Sequence, residues 1–89
     1  MSDRQACGWY VYIVRCADAT LYTGITNRLG KRIAAHNAGR GARYTRGRLP
    51  VELIYFELQS GRGEALRREA QIKRLPVAAK RRLVVADRG

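Results

Sequence analysis

The chain carries seven carboxylates, one histidine and five tyrosines, few enough to ask of each what reaction it would support. Metal-assisted phosphodiester chemistry needs a hard oxygen ligand, and elimination leaves Glu69. Asp3 and Asp87 lie near the ends, Asp18 falls in a tight turn, and Glu52 and Glu57, at odd separation on one strand, are expected on opposite faces. Glu64 opens a helix, where a carboxylate complements the macrodipole. Glu69 instead shares helical spacing with Ala65, Leu66, Ile72 and Lys73, so it falls on the stripe that packs on a sheet. A carboxylate there must find a cation or neutralise. Two readings stand: an ion pair with Lys73 or an arginine, or a ligand for one divalent metal. No second carboxylate is evident beside it, which argues against a two-metal site.

Arg32 and His36 stand four residues apart on a helix, so they share a face and could reach one anion. A lone helix histidine is also a common packing residue. Tyr12 and Tyr22 belong to two consecutive strand-like runs. For them to share a sheet face, antiparallel partners must have numbers of even sum, which demands an odd connection of three or five residues around Asp18. Core packing is the other reading of these tyrosines. In "LYTGIT", Gly24 interrupts a strand beside Tyr22, the mark of a bulge or of a close approach to the backbone.

The elements that must position these groups follow from the pattern. "WYVYIVRC" (Trp9 to Cys16) is dense in aromatic and β-branched residues and reads as a largely buried strand, with "LYTGIT" as its hairpin partner. Asn27 is a candidate N-cap for a helix over 28–38 that Gly39 could end. "GRGARYTRGRLP" reads as a mobile basic loop. "VELIYFEL" (Val51 to Leu58) is a third strand, a helix follows from about Glu64 to Leu75, and Pro76 suits the first turn of another before a frayed basic tail. The order β-β-α-β-α-α predicts an α+β fold, a small three-stranded antiparallel sheet flanked by helices. Residues 1–89 are expected to form a single domain with its core at about 9–85.

With 18 Lys and Arg against 7 Asp and Glu, the formal net charge is +11. That excess points to a polyanion, with nucleic acid the leading candidate. Lys31, Lys73 and Lys80 are the lysines; the rest is arginine, whose planar fork matches phosphate oxygens. Cys7 and Cys16 form no Cys/His cluster, so neither zinc nor a disulfide staple is expected. The opening residues resemble neither a signal peptide nor a membrane span. A bacterial cytoplasmic monomer is the expectation.

"YVY" (Tyr10, Val11, Tyr12), about ten residues, "YTG" (Tyr22, Thr23, Gly24), a helix arginine and a later helix glutamate together resemble the GIY-YIG nuclease domain, in particular its small stand-alone YhbQ-like UPF0213 group. The likeness runs from Trp9 to about Val85. It implies a phosphodiester-cleaving endonuclease, selective for DNA structure rather than sequence and using one magnesium or manganese ion. Tyr12 and Tyr22 would stand at the motif tyrosines, Gly24 at the glycine, with Arg32, His36 and Glu69 completing the catalytic set and Glu69 holding the metal. Tyr22, ahead of Tyr12, would activate or orient the attacking water, His36 could relay its proton, and Gly24 would leave room for a phosphate to approach. Tyr10 replaces the first motif's glycine, and Thr23 stands in the second motif where isoleucine or valine is common. The asparagine that many members carry late in the domain has no counterpart, since Asn27 and Asn37 are the asparagines present. A nucleic-acid-binding module with little or no turnover is therefore the alternative. Without an appended targeting domain, affinity would come from Arg40, Arg43, Tyr44, Arg46 and Arg48 of the loop and from Lys31 and Lys73, with Tyr44 stacking on a base; a protein partner could add targeting.

Overall fold

The computed structural model describes residues 8–88; Asp3 and Cys7 lie outside them. Strands β1 (Trp9–Arg15), β2 (Leu21–Thr26) and β3 (Glu52–Gln59) form an antiparallel sheet in the order β2-β1-β3. Helices α1 (Leu29–Asn37), α2 (Arg43–Arg46), α3 (Arg62–Lys73) and α4 (Val77–Arg88) complete the α+β fold expected from the pattern. β1 is central and closed on both faces, which is why its apolar run does not alternate with polar residues. Val11 and Ile13 pack with Ala65, Ile72 and Val84 on one side, Tyr12 and Val14 with Leu29, Ile33 and Val51 on the other. The two faces of one strand thus make two cores, and the second contains Tyr12.

Arg15 pairs with Leu21 across the hairpin, so the connection is the five-residue one that the parity of Tyr12 and Tyr22 demands. Asp18 organises it by accepting from the Thr20 amide and hydroxyl. The helix that follows starts differently from expectation: Asn27 makes no cap, and the Thr26 hydroxyl takes the Arg28 amide at 3.0 Å instead. Its end is as read. Gly39 adopts φ +81, and the amides of Gly39 and Arg40 return to the carbonyls of His36 and Ala35, satisfying the open end of α1. Asn37 then bonds both backbone groups of Val51, at 2.7 and 3.1 Å, fastening α1 to the start of β3. The expected irregular loop contains the single turn α2, and α4 continues to Arg88 where a frayed tail was expected.

Glu52 and Glu57 do not point to opposite faces. Ile13 pairs with Tyr55 but Val14 with Leu53, so a bulge inserts Ile54 and shifts the parity of β3 by one. Glu57 consequently faces α3, where Arg68 bonds it at 2.8 and 3.2 Å and Gln59 and the Tyr55 hydroxyl add further bonds. Burial alone would raise the Glu57 carboxyl, but Arg68, Tyr55 and Gln59 outweigh it and hold it below the ordinary value. Burial, then the bond to Glu57, pushes Tyr55 up to about 12. Glu57→Gln, which leaves Arg68 without its carboxylate, is expected to cost about 2 kcal/mol at neutral pH. The Glu57 contribution is complete above about pH 4.3 and is lost as pH falls through the lower folded-state value. Thermal unfolding at pH 7 and at pH 3 therefore should show parent and variant converging in acid.

Candidate active site

Four side chains are linked by hydrogen bonds whose direction can be assigned from one end. The Thr45 hydroxyl donates to the Ala42 carbonyl at 2.9 Å, so with its single proton committed it accepts from His36 Nδ1 at 2.9 Å. Neutral His36 then has a bare Nε2, which accepts the Tyr12 hydroxyl at 2.8 Å. The Tyr12 oxygen in turn accepts from Arg32 Nε at 3.4 Å. Burial, followed by the Arg32 charge, lowers the His36 pKa and keeps the acceptor uncharged. Burial raises the Tyr12 phenol against the pull of Arg32; the Tyr22 and Glu69 charges push it further up. Tyr12 and His36 are both wholly buried, so this chain fixes Arg32 from behind.

Two glycines make room for it. A Cβ at Gly24 would lie 2.6 Å from the Tyr12 hydroxyl oxygen. The close approach read from "LYTGIT" is therefore that of the Tyr12 phenol, paired directly opposite, and not the space for a phosphate that was expected. Gly41 and Thr45 are the residues that sequence reasoning missed. A Cβ at Gly41 would lie 2.2 Å from His36 Nδ1 and 2.8 Å from His36 Cα; the cluster of glycines in the basic loop was the available signal, read as mobility. Gly41→Ala is expected to displace the imidazole and cost about 2 kcal/mol in unfolding experiments. In the parent, nitrogen NMR should report His36 neutral with its proton on Nδ1 at pH 7. Because its folded-state pKa is depressed, the stability tied to His36 is complete above about pH 6.5 and declines as pH falls through the folded value.

Tyr22 stands in front of the buried chain. Half-buried, it meets the His36 ring edge-on with centroids 5.6 Å apart and lies 6.4 Å from the Tyr12 ring. Tyr44 stacks on it at 5.9 Å, with the planes 22° apart. The Arg48 guanidinium sits 4.1 Å over Tyr44 and also bonds the Tyr44 carbonyl and the Asp18 carboxylate. Tyr44 and Arg48, expected as a base platform and a phosphate contact, are thus engaged within the wall of the site. Lys31, Arg40, Arg43 and Arg46 are exposed on α1, α2 and the turn between them.

Glu69 rises from α3 with its side chain 17% exposed and pairs with Lys73 at 3.2 Å. The ion-pair reading is therefore realised in this conformation, and Lys73 is part of it rather than an open cation. No group of three His, Cys, Asp or Glu able to hold a metal occurs among the described residues. A lone carboxylate suits a hard ion that retains waters and takes its remaining ligands from a phosphate. The Lys73 side chain is half exposed, on a flexible stem that can yield the carboxylate. The residues present do not fit a closed protein cage, and Glu69 is the carboxylate beside the site that such an open arrangement would draw on.

The sequence matches the family profile described as the GIY-YIG catalytic domain over residues 8–82. It is 50% identical over 85 residues to a UPF0213 protein of Natronomonas pharaonis, covering 96% of this chain and 100% of that one. A UPF0213 protein of Desulfotalea psychrophila is 55% identical over 87 residues, covering 97% and 77% respectively. The solution NMR structure of a UPF0213 protein from Bacillus halodurans superposes with a TM-score of 0.58 at 40% identity, over 89% of this chain and 84% of that one. None of the described helices is long and apolar enough to cross a membrane.

Proposed function

The chain belongs to the GIY-YIG catalytic domain family, and from that premise we propose that it is a metal-dependent DNA endonuclease, selective for structure over sequence. The observation that carries the reading is the half-buried Tyr22 ring held against the Arg32–Tyr12–His36–Thr45 chain. Glu69 would hold one magnesium or manganese ion, which when bound supplies Lewis-acid stabilisation of charge on the scissile phosphate.

The chain's own residues have distinct tasks. Arg32, with Nε fixed on Tyr12, offers its terminal nitrogens to the phosphoryl oxygens and meets their developing charge with little reorganisation. Tyr22 orients the attacking water and, as phenolate, takes its proton while the P–O bond to the leaving group breaks. In this reading His36 does not relay the Tyr22 proton as the resemblance implied, because its Nε2 already accepts Tyr12; Tyr12 and His36 act as positioning residues for Arg32. The free thiol of buried Cys16 suits a reducing compartment, and we place a monomer in the cytoplasm.

A binding module without turnover is favoured by one observation: Asn37 is fastened to Val51, away from the site. Single-stranded, duplex, nicked and branched DNA and RNA, each incubated with magnesium, manganese or chelator, separate the readings. Cutting that needs metal and prefers nicked or branched DNA is the expected result. Salt-sensitive binding that ignores chelator, with no cutting, would replace the nuclease by the module.

A further inference from the structure

Beyond the residues already placed, a second basic feature touches the site through Tyr44. A groove of about 250 Å³ is lined by Ala19, Thr20 and Leu21 of the hairpin, Tyr44, and Val77, Lys80 and Arg81 of α4. Val77, Lys80 and Arg81 stand at helical spacing and share one face of α4. None of the described ion pairs uses Lys80 or Arg81. The neighbouring carboxylate, Asp18, is already turned to Arg48 and Thr20, so the groove keeps its positive sign. Tyr44 is shared: it lines the groove and stacks on Tyr22, making groove and site one continuous surface around the hairpin end.

We propose that this groove is a subsite for the nucleic-acid backbone on one flank of the scissile bond, with Lys80 and Arg81 each meeting a phosphate while Leu21 and Val77 bed the sugars. It rests on the nucleic-acid reading above and extends it to α4, a helix that the basic loop had overshadowed. The Tyr22–Tyr44–Arg48 arrangement is the wall that sets the turn from site to groove. Two phosphates neutralised there release two counterions, a contribution that salt titration counts.

The test is the Lys80→Gln, Arg81→Gln double variant, titrated against nicked DNA in chelator from low to moderate salt. The slope of log affinity against log salt is expected to shrink by about 2, at roughly 0.9 per phosphate contact. The charge-conserving swap Lys80→Arg, Arg81→Lys should restore the slope, which a structural role would not. Arg82→Gln, exposed on the same helix but outside the groove lining, should leave the slope nearly unchanged. A double variant with the parent's slope, or no steeper a loss than Arg82→Gln, overturns the subsite. Binding without cutting by the parent would remove the nuclease reading and still let the slopes decide the subsite; a parent that binds no nucleic acid overturns both.

Discussion

Glu69→Ala is expected to lose about a thousandfold in metal-dependent cleavage while keeping the parent's fold and most of its DNA affinity. Among the described residues it is the carboxylate whose charge acts on Tyr12, and it is mostly buried on α3. The stability change should be below about 1 kcal/mol, because the Lys73 left behind is half exposed and can return to water. Dependence on magnesium concentration should vanish together with the rate. Glu64→Ala is the matched control: that carboxylate is exposed in the first turn of the same helix, near Arg67, and its loss should change cleavage by less than about twofold. Matching rates for Glu69→Ala and parent would place the metal elsewhere.

Tyr22→Phe is expected to lower kcat by about 10²- to 10⁴-fold with KM little changed. The ring keeps its stack on Tyr44 and its edge contact with His36, so binding and shape survive while the oxygen that meets water is gone. Tyr12→Phe differs in kind. Its hydroxyl is wholly buried, and removing it frees Arg32 Nε and leaves His36 Nε2 without a donor. A smaller loss of about 10- to 100-fold is expected, with about 1–3 kcal/mol of destabilisation from the unsatisfied imidazole. The reverse ranking, with Tyr12→Phe losing more than Tyr22→Phe, would assign proton transfer to Tyr12.

The two motif tyrosines carried more structural information than any other residues. Their parity alone required an odd hairpin connection, and the five residues between Arg15 and Leu21 supply it, because side-chain alternation is a rigid rule on an unbroken strand pair. The same rule failed on β3, since an inserted residue at Ile54 leaves no mark in the unbroken apolar run from Leu53 to Phe56. Capping was legible at Gly39, where only a glycine-like φ closes the helix, and illegible at Asn27, because the cap position falls one residue later, at Arg28, whose amide is held by Thr26. The Glu69–Lys73 pair was visible as an i, i+4 spacing. Thr45 was not, because its role depends on a contact across nine residues of apparently irregular chain. Gly24 was singled out for the right reason, a close approach, and matched to the wrong visitor: hydrogen-bonded registers decide which side chain stands opposite, and that register follows from the fold.

The central claim is that Tyr22 and Glu69 work in one phosphodiester-cleaving site. Single-turnover cleavage of a nicked DNA under saturating protein, with parent, Glu69→Ala, Tyr22→Phe and the double variant compared in magnesium and in chelator, tests it most directly. The double variant should be no slower than Glu69→Ala alone, and every variant should fall to the rate the parent shows in chelator, since groups acting as a unit are strongly non-additive. Cleavage that survives in the double variant at the parent's rate, or that ignores chelator, would contradict the assignment.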